Sequence, residues 1–279
     1  MELNAFYSKS KKKDDENNLL NKILFLHGMG GTGQIWKPIV ITLEDNYSCL
    51  CPDQRGHGQS IVSKSQISSH HYSPIHFGQD IVDTLPAYNF HPCWVVGHSM
   101  GVRSACAFAH LKPEWVRGLI LVDLGFEGLA GGGFGENLSN FLKKLPPSFS
   151  SRADARAFMD QNSPDSSITQ YLMAVGKIQN GTFYFPFDHN ALIQTLSEAR
   201  SFSIRPWVSE AAQKNIPVLI LRGEKTSVWT HQEFLNEKEL FKDFPKITFI
   251  EIQSAGHGLP FEKKKVFLEL LNQFITDNS

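Results

Sequence analysis

The stretch Cys93-Trp94-Val95-Val96-Gly97-His98-Ser99-Met100-Gly101 decides the reading of this chain. Its first four residues form an apolar run of the kind expected for a strand buried on both faces. The run ends in a G-x-S-x-G pentapeptide, and a helical pattern opens at Met100. Taken alone the pentapeptide is a weak signal. Strand, tight turn and helix in that order give it meaning. Such a turn holds the serine in a strained conformation, and glycine on either side lets helix and strand approach closely. Its Oγ then stands at the carboxyl end of the sheet, where ligands of open α/β sheets bind. The bland alternative is a glycine-rich structural turn with an incidental serine.

Working outward, short apolar runs alternate with longer amphipathic ones, the pattern of a parallel sheet covered by helices. Strands are predicted at 23–26, 47–51, 93–96, 118–122, 217–221 and 247–252, with a further one within 3–8 joined to the next by a polar turn at 11–18. Helices are predicted at 34–43, 75–88, 100–110, 231–241 and 264–276. The alternation breaks once. After Asp123 comes the glycine-rich stretch 125–135, and the sheet resumes only near Pro217. A structureless loop of that length does not suit a compact domain. The expected organisation is therefore a core of residues 1–124 and 206–279, with a mostly helical cap inserted at 125–205 and hinged at the glycines.

Composition fits this plan. The 279 residues are 41% hydrophobic and 20% charged, with a formal net charge of −1, which leaves no electrostatic footprint for nucleic acid or an anionic membrane. The basic runs 11–13 and 263–265 read as solvated faces. Cys49, Cys51, Cys93 and Cys106 form no C-x-x-C pair and read as reduced core residues. Met1–Ser10 lacks a basic segment leading into an apolar one, and no apolar stretch reaches the length of a bilayer span, so a cytoplasmic location is the default expectation. Oligomeric state is not legible.

Two further segments bear on chemistry. His27-Gly28-Met29-Gly30-Gly31 follows the first buried strand directly. Gly28, Gly30 and Gly33 also match the dinucleotide fingerprint G-x-G-x-x-G, but no Lys-Ser/Thr follows to make a phosphate loop, so no nucleotide is expected. Ala255-Gly256-His257-Gly258 lies between the last strand and the last helix, where a histidine can take a proton from Ser99 and return it to a leaving group. His70, His71 and His76 match no zinc spacing and gain no cysteine or carboxylate, so neither metal nor cofactor is expected. His57, in Asp53-Gln54-Arg55-Gly56-His57-Gly58, reads as structural.

Together the H-G-x-G-G loop, the D-x-R-G-H-G turn, the G-H-S-M-G elbow and the A-G-H loop resemble an α/β-hydrolase-fold serine hydrolase, in that family's order and over nearly the whole length outside the cap. The resemblance implies Ser99 as nucleophile, His257 as base, and the backbone N–H groups of Met29 and Met100 as oxyanion hole, with His27, Gly28, His98 and Phe126 near substrate. One feature departs from the pattern. The family's acid follows the strand at 217–221 in a segment like G-E-x-D, whereas this chain reads Gly223-Glu224-Lys225-Thr226-Ser227. A hydroxyl does not stabilise an imidazolium as a carboxylate does. Asp123, ending the strand at 118–122, is the preferred substitute, as in the short-chain esterases this sequence resembles; Glu224 is the rival, with Thr226 or Ser227 as a secondary orienter of the histidine.

The expected activity is hydrolysis of carboxylic esters, the partner a small-molecule ester, with substrate choice set by cap aromatics such as Phe126, Phe134, Phe141, Phe149, Phe158 and those of 183–187. Two other readings stand beside it. One is a C–C hydrolase or a lyase of the menaquinone-pathway type, the latter resembled at Arg103 shortly after the elbow. The other is a catalytically silent receptor on the same fold.

Overall fold

A computed structural model describes residues 1–12, 21–61, 71–128 and 133–279. Its sheet is built from the apolar runs: β1 (Ala5–Ser8), β2 (Lys22–Leu26), β3 (Ser48–Pro52), β4 (Cys93–His98), β5 (Val116–Val122), β8 (Val218–Gly223) and β9 (Ile247–Ile252). They lie in the order β1-β3-β2-β4-β5-β8-β9, parallel throughout except for the antiparallel β1–β3 pair. The architecture is an α/β-hydrolase fold.

Alternation along the strands divides the core into two layers, because successive side chains point to opposite faces. Ile23 and Phe25 of β2 pack with Trp94, Val96, Ile120 and Val122 toward α1 (Lys37–Leu43) and α11 (Lys264–Asp277). Leu24 and Leu26 pack with Val95, Leu119 and Leu121 toward α2 (Pro74–Thr84), α3 (Met100–Leu111) and α8 (Arg205–Gln213). Helix α9 (His231–Leu240) lies between β8 and β9, and the single turn α10 (Leu259–Glu262) precedes α11. All four cysteines are buried and free.

Two predicted helices are each divided, for the same reason. The helix predicted at 34–43 splits into a 3₁₀ turn at Gly33–Trp36 and α1, whose second residue is Pro38, and the one predicted at 75–88 splits into α2 and a 3₁₀ turn at Leu85–Tyr88 containing Pro86. Proline donates no helical hydrogen bond and is tolerated only in a first turn, so each restarts the helix.

Between β5 and β8 lie α4 (Gly133–Lys144), α5 (Arg152–Asn162), α6 (Ser166–Val175), a hairpin of β6 (Lys177–Gln179) and β7 (Thr182–Tyr184), and α7 (His189–Ala199). Phe141, Phe149, Phe183, Phe185 and Phe187 form an apolar cluster of this segment, with Phe158 and Met29 packed against it. Within the expected turn at 11–18, residues from 13 onward lie outside the described residues, as do 129–132 of the glycine stretch and His70.

Candidate active site

The two ends of the G-x-S-x-G turn are glycine because backbone fills the space a side chain would need. A Cβ on Gly97 would stand 2.3 Å from the Gly101 oxygen, and one on Gly101 would stand 2.3 Å from the Leu26 oxygen. Between them Ser99 adopts φ 53° and ψ −121°, a left-handed conformation that L-residues rarely take. The Ser99 N–H donates to Val122 O at 2.9 Å, which pins the turn to the neighbouring strand.

Asp123 follows that same strand at φ 57° and is fully buried. One carboxylate oxygen accepts the Gly223 N–H at 2.8 Å; the other stands 2.7 Å from His257 Nδ1. His257 Nε2 in turn lies 2.9 Å from Ser99 Oγ. The three residues expected to carry catalysis therefore form one continuous relay. Gly223 allows this closure, since a Cβ there would stand 2.5 Å from Gly256 O in the histidine loop.

The rival carboxylate and the hydroxyls of Thr226 and Ser227 point elsewhere. Glu224 is exposed and accepts the Ser254 N–H at 2.7 Å. Thr226 Oγ1 accepts the Val228 N–H, and Ser227 Oγ donates to Asp165 at 2.7 Å, so neither Thr226 nor Ser227 reaches His257. What does hold the histidine loop is Glu262, whose carboxylate accepts the N–H groups on both sides of His257, Gly256 at 2.7 Å and Gly258 at 3.2 Å. His98 adds a third tie by donating Nε2–H to His257 O at 2.8 Å. Glu262 was not singled out in the sequence, where only its place in the first turn after the A-G-H loop hinted at a cap.

Met29 and Met100 present backbone N–H groups on the loops that flank Ser99, and among the described residues neither donates to a protein acceptor. Met100 is the first residue of α3, so its N–H has no partner within the helix. The Met29 loop interlocks with the turn at 53–58. His27 donates Nδ1–H to Gly28 O at 2.8 Å and accepts the Gln54 N–H at 3.0 Å, while His57 accepts the Gly30 N–H at 3.0 Å. His27, expected near substrate, is instead fully buried behind the loop it braces.

An apolar cavity opens over Ser99. Its empty space is about 510 Å³ including the open mouth, lined by Phe134, Leu138, Leu142, Ile168, Tyr171, Leu172 and Leu192 from the segment between β5 and β8, and by Gly28, Met29, His98, Ser99 and His257 from the sheet side. Phe126, the other residue expected at substrate, is absent from this lining. It is fully buried in the main core against Trp229, Phe241 and Phe249, and its carbonyl accepts the Ile204 N–H at 2.8 Å. Arg103 is also turned away: its guanidinium donates to Phe202 O and Glu127 O, each at 2.7 Å.

Three buried histidines give the fold a pH dependence. Burial lowers His27 from 6.5 to about 4, and His57 and His98 to about 3. Below pH 6.5 the unfolded chain binds protons that the folded chain refuses, so their stabilising effect is complete above 6.5 and is lost as pH falls toward 3–4. Each adds to the loss of stability as pH falls across that window. Melting followed by circular dichroism is expected to show a plateau near neutral pH and a falling Tm from pH 6.5 to 4. An unchanged Tm over that range contradicts neutral buried imidazoles.

Residues 21–264 match the model of the alpha/beta hydrolase fold family. The chain is 24% identical to the sn-1-specific diacylglycerol lipase of Mus musculus, covering 94% of this chain and 83% of that one. Among solved structures it superimposes on a marine microorganism esterase with a TM-score of 0.76 at 21% identity, covering 98% and 99% of the two chains. It also superimposes on E-2-(acetamidomethylene)succinate hydrolase with a TM-score of 0.78 at 22% identity, covering 98% and 95%.

Proposed function

The chain belongs to the alpha/beta hydrolase fold family, and from that premise we propose that it is a serine hydrolase cleaving neutral, short- to medium-chain carboxylic esters through an acyl-enzyme on Ser99. The observation that carries this reading is the unbroken relay from Asp123 through His257 to Ser99 Oγ, at 2.7 and 2.9 Å, at the floor of an apolar cavity.

Each residue has a chemical part. His257 Nε2 takes the proton as Ser99 Oγ attacks the ester carbonyl, and Asp123 stabilises the imidazolium while holding the proton-bearing nitrogen at Nδ1. The carbonyl oxygen becomes an oxyanion and is received by the free N–H groups of Met29 and Met100, donors already in place before charge develops. The imidazolium then protonates the departing alkoxide. Water attacks the acyl-enzyme by the same steps, with His257 again as base.

The cavity supports the choice of substrate. Apart from the imidazoles of His98 and His257, its lining among the described residues carries no ionisable side chain but the phenol of Tyr171, so it suits an aliphatic acyl or alcohol group. The lyase reading loses the sign it had in the sequence: Arg103 is not in this cavity's lining, and its guanidinium is engaged by two carbonyls.

A series of aryl esters tests this. Turnover (kcat/KM) is expected to be highest between acetate and octanoate and to fall for longer chains. The aryl hemisuccinate, equal in length to a short acyl ester but carrying a carboxylate, is expected to be poorer by about 100-fold, since its charge enters an apolar site unpaired. Hemisuccinate turned over as well as butyrate refutes the neutral-substrate assignment.

A further inference from the structure

The Met29 N–H shares its peptide unit with the Gly28 carbonyl. A trans peptide is planar, so the two groups point in opposite directions and whatever fixes the carbonyl aims the N–H. Three donors converge on Gly28 O: the Gly31 N–H at 3.0 Å, His27 Nδ1–H at 2.8 Å and the Tyr171 hydroxyl at 3.3 Å. The first two belong to the loop itself. The third comes from α6, 143 residues away, and the same hydroxyl accepts the Gly28 N–H at 3.0 Å.

The glycines of the loop are shaped to this contact. A Cβ on Gly31 would lie 2.1 Å from the Tyr171 oxygen, and one on Gly30 would lie 2.5 Å from Leu172 Cδ2. Both side chains come from the same turn of α6, so the glycine-rich loop serves as the socket for that helix. The start of α6 is tethered as well. Asp165 caps it by accepting the Ser167 N–H at 2.7 Å, and its second oxygen accepts the Ser227 hydroxyl at 2.7 Å. Burial raises the phenol of Tyr171, so its proton stays available for donation.

We propose that Tyr171 is a positioning residue for the reaction: seated on Gly28, its hydroxyl aims the Met29 N–H at the developing oxyanion, so the oxyanion hole is complete only while α6 is docked on the glycine loop. This rests on the serine-hydrolase reading above. It assigns the segment between β5 and β8 a part in transition-state stabilisation in addition to lining the cavity.

Tyr171→Phe tests it, because the ring that lines the cavity stays and only the hydroxyl goes. For an aryl butyrate, kcat is expected to fall about tenfold, less than for outright loss of an oxyanion donor, with KM within about twofold. The affinity of butylboronic acid, which forms a tetrahedral adduct on serine, is expected to fall in parallel with kcat. A hydroxyl that merely stabilises the fold lowers Tm and moves neither ratio. Ser227→Ala loosens α6 without touching the cavity and is expected to lower kcat about two- to threefold at constant KM. Should Tyr171→Phe fail to fold, Ser227→Ala decides alone. Unchanged kcat and boronate affinity, or a change confined to KM, overturn the proposal. If the unaltered protein takes no fluorophosphonate on Ser99 and hydrolyses no ester, the serine-hydrolase reading itself fails; if it does both and the variants match it, only the role of Tyr171 fails.

Discussion

Alanine at position 99 is expected to lower kcat toward aryl butyrate by about 10⁵- to 10⁶-fold and to abolish covalent labelling by a fluorophosphonate, with KM changed little. The size follows from what is removed. Without Oγ no acyl-enzyme forms, and His257 loses the group that stands 2.9 Å from its Nε2. Binding in the cavity and the two amides at Met29 and Met100 remain, so some turnover by direct attack of water is expected to persist. Mass mapping of the labelled peptide in the unaltered protein is the sharper half of the test. An adduct on any residue but Ser99, or none at all, sinks the acyl-enzyme mechanism and leaves a silent receptor as the better account. Since Ser99 already sits at φ 53°, where any β-carbon is strained, alanine there adds little backbone cost and the fold is expected to persist.

What was legible in the sequence follows from how strictly each feature is constrained. The strands of the sheet could be read because strands buried on both faces admit little but apolar residues. The turn around Ser99 could be read because only glycine fits at 97 and 101 against the backbone of its neighbours. Asp123 could be preferred over Glu224 because it ends the strand beside the nucleophile strand, and the register does pair Gly97 with Leu121 and His98 with Val122. Features set by tertiary packing were harder to see. Phe126 belongs to the main core although it follows Asp123 by only three residues, and nothing in its immediate sequence says whether it faces strand neighbours or cleft. Tyr171 meets Gly28 across 143 residues and carries no local mark at all. The hairpin of β6 and β7 does carry a local signal: Asn180-Gly181, with φ 51° and 79°, is the pair favoured in tight hairpin turns.

The identity of the acid gives the other large effect. Asp123→Asn is expected to lower kcat about 10⁴-fold, while Glu224→Gln stays within about twofold. The reason lies in the two partners of the Asp123 carboxylate. One oxygen accepts the Gly223 N–H at 2.8 Å, and an asparagine must turn its own carbonyl oxygen to that donor to keep it satisfied. Its amide NH₂ then faces His257 Nδ1 across 2.7 Å and donates to it. That favours the tautomer with the proton on Nε2, the nitrogen that has to accept from Ser99, and it leaves no negative charge beside the imidazolium that forms during attack. Glu224 has no such connection. It is exposed, and the one hydrogen bond its carboxylate makes among the described residues, from the Ser254 N–H, is one that a glutamine oxygen accepts equally well. Measured kcat for the two variants, with circular dichroism melts to show that both remain folded, therefore separates the carboxylates. A larger loss for Glu224→Gln than for Asp123→Asn would place the acid at the usual strand after all, and the relay through the fully buried Asp123 would then be structural.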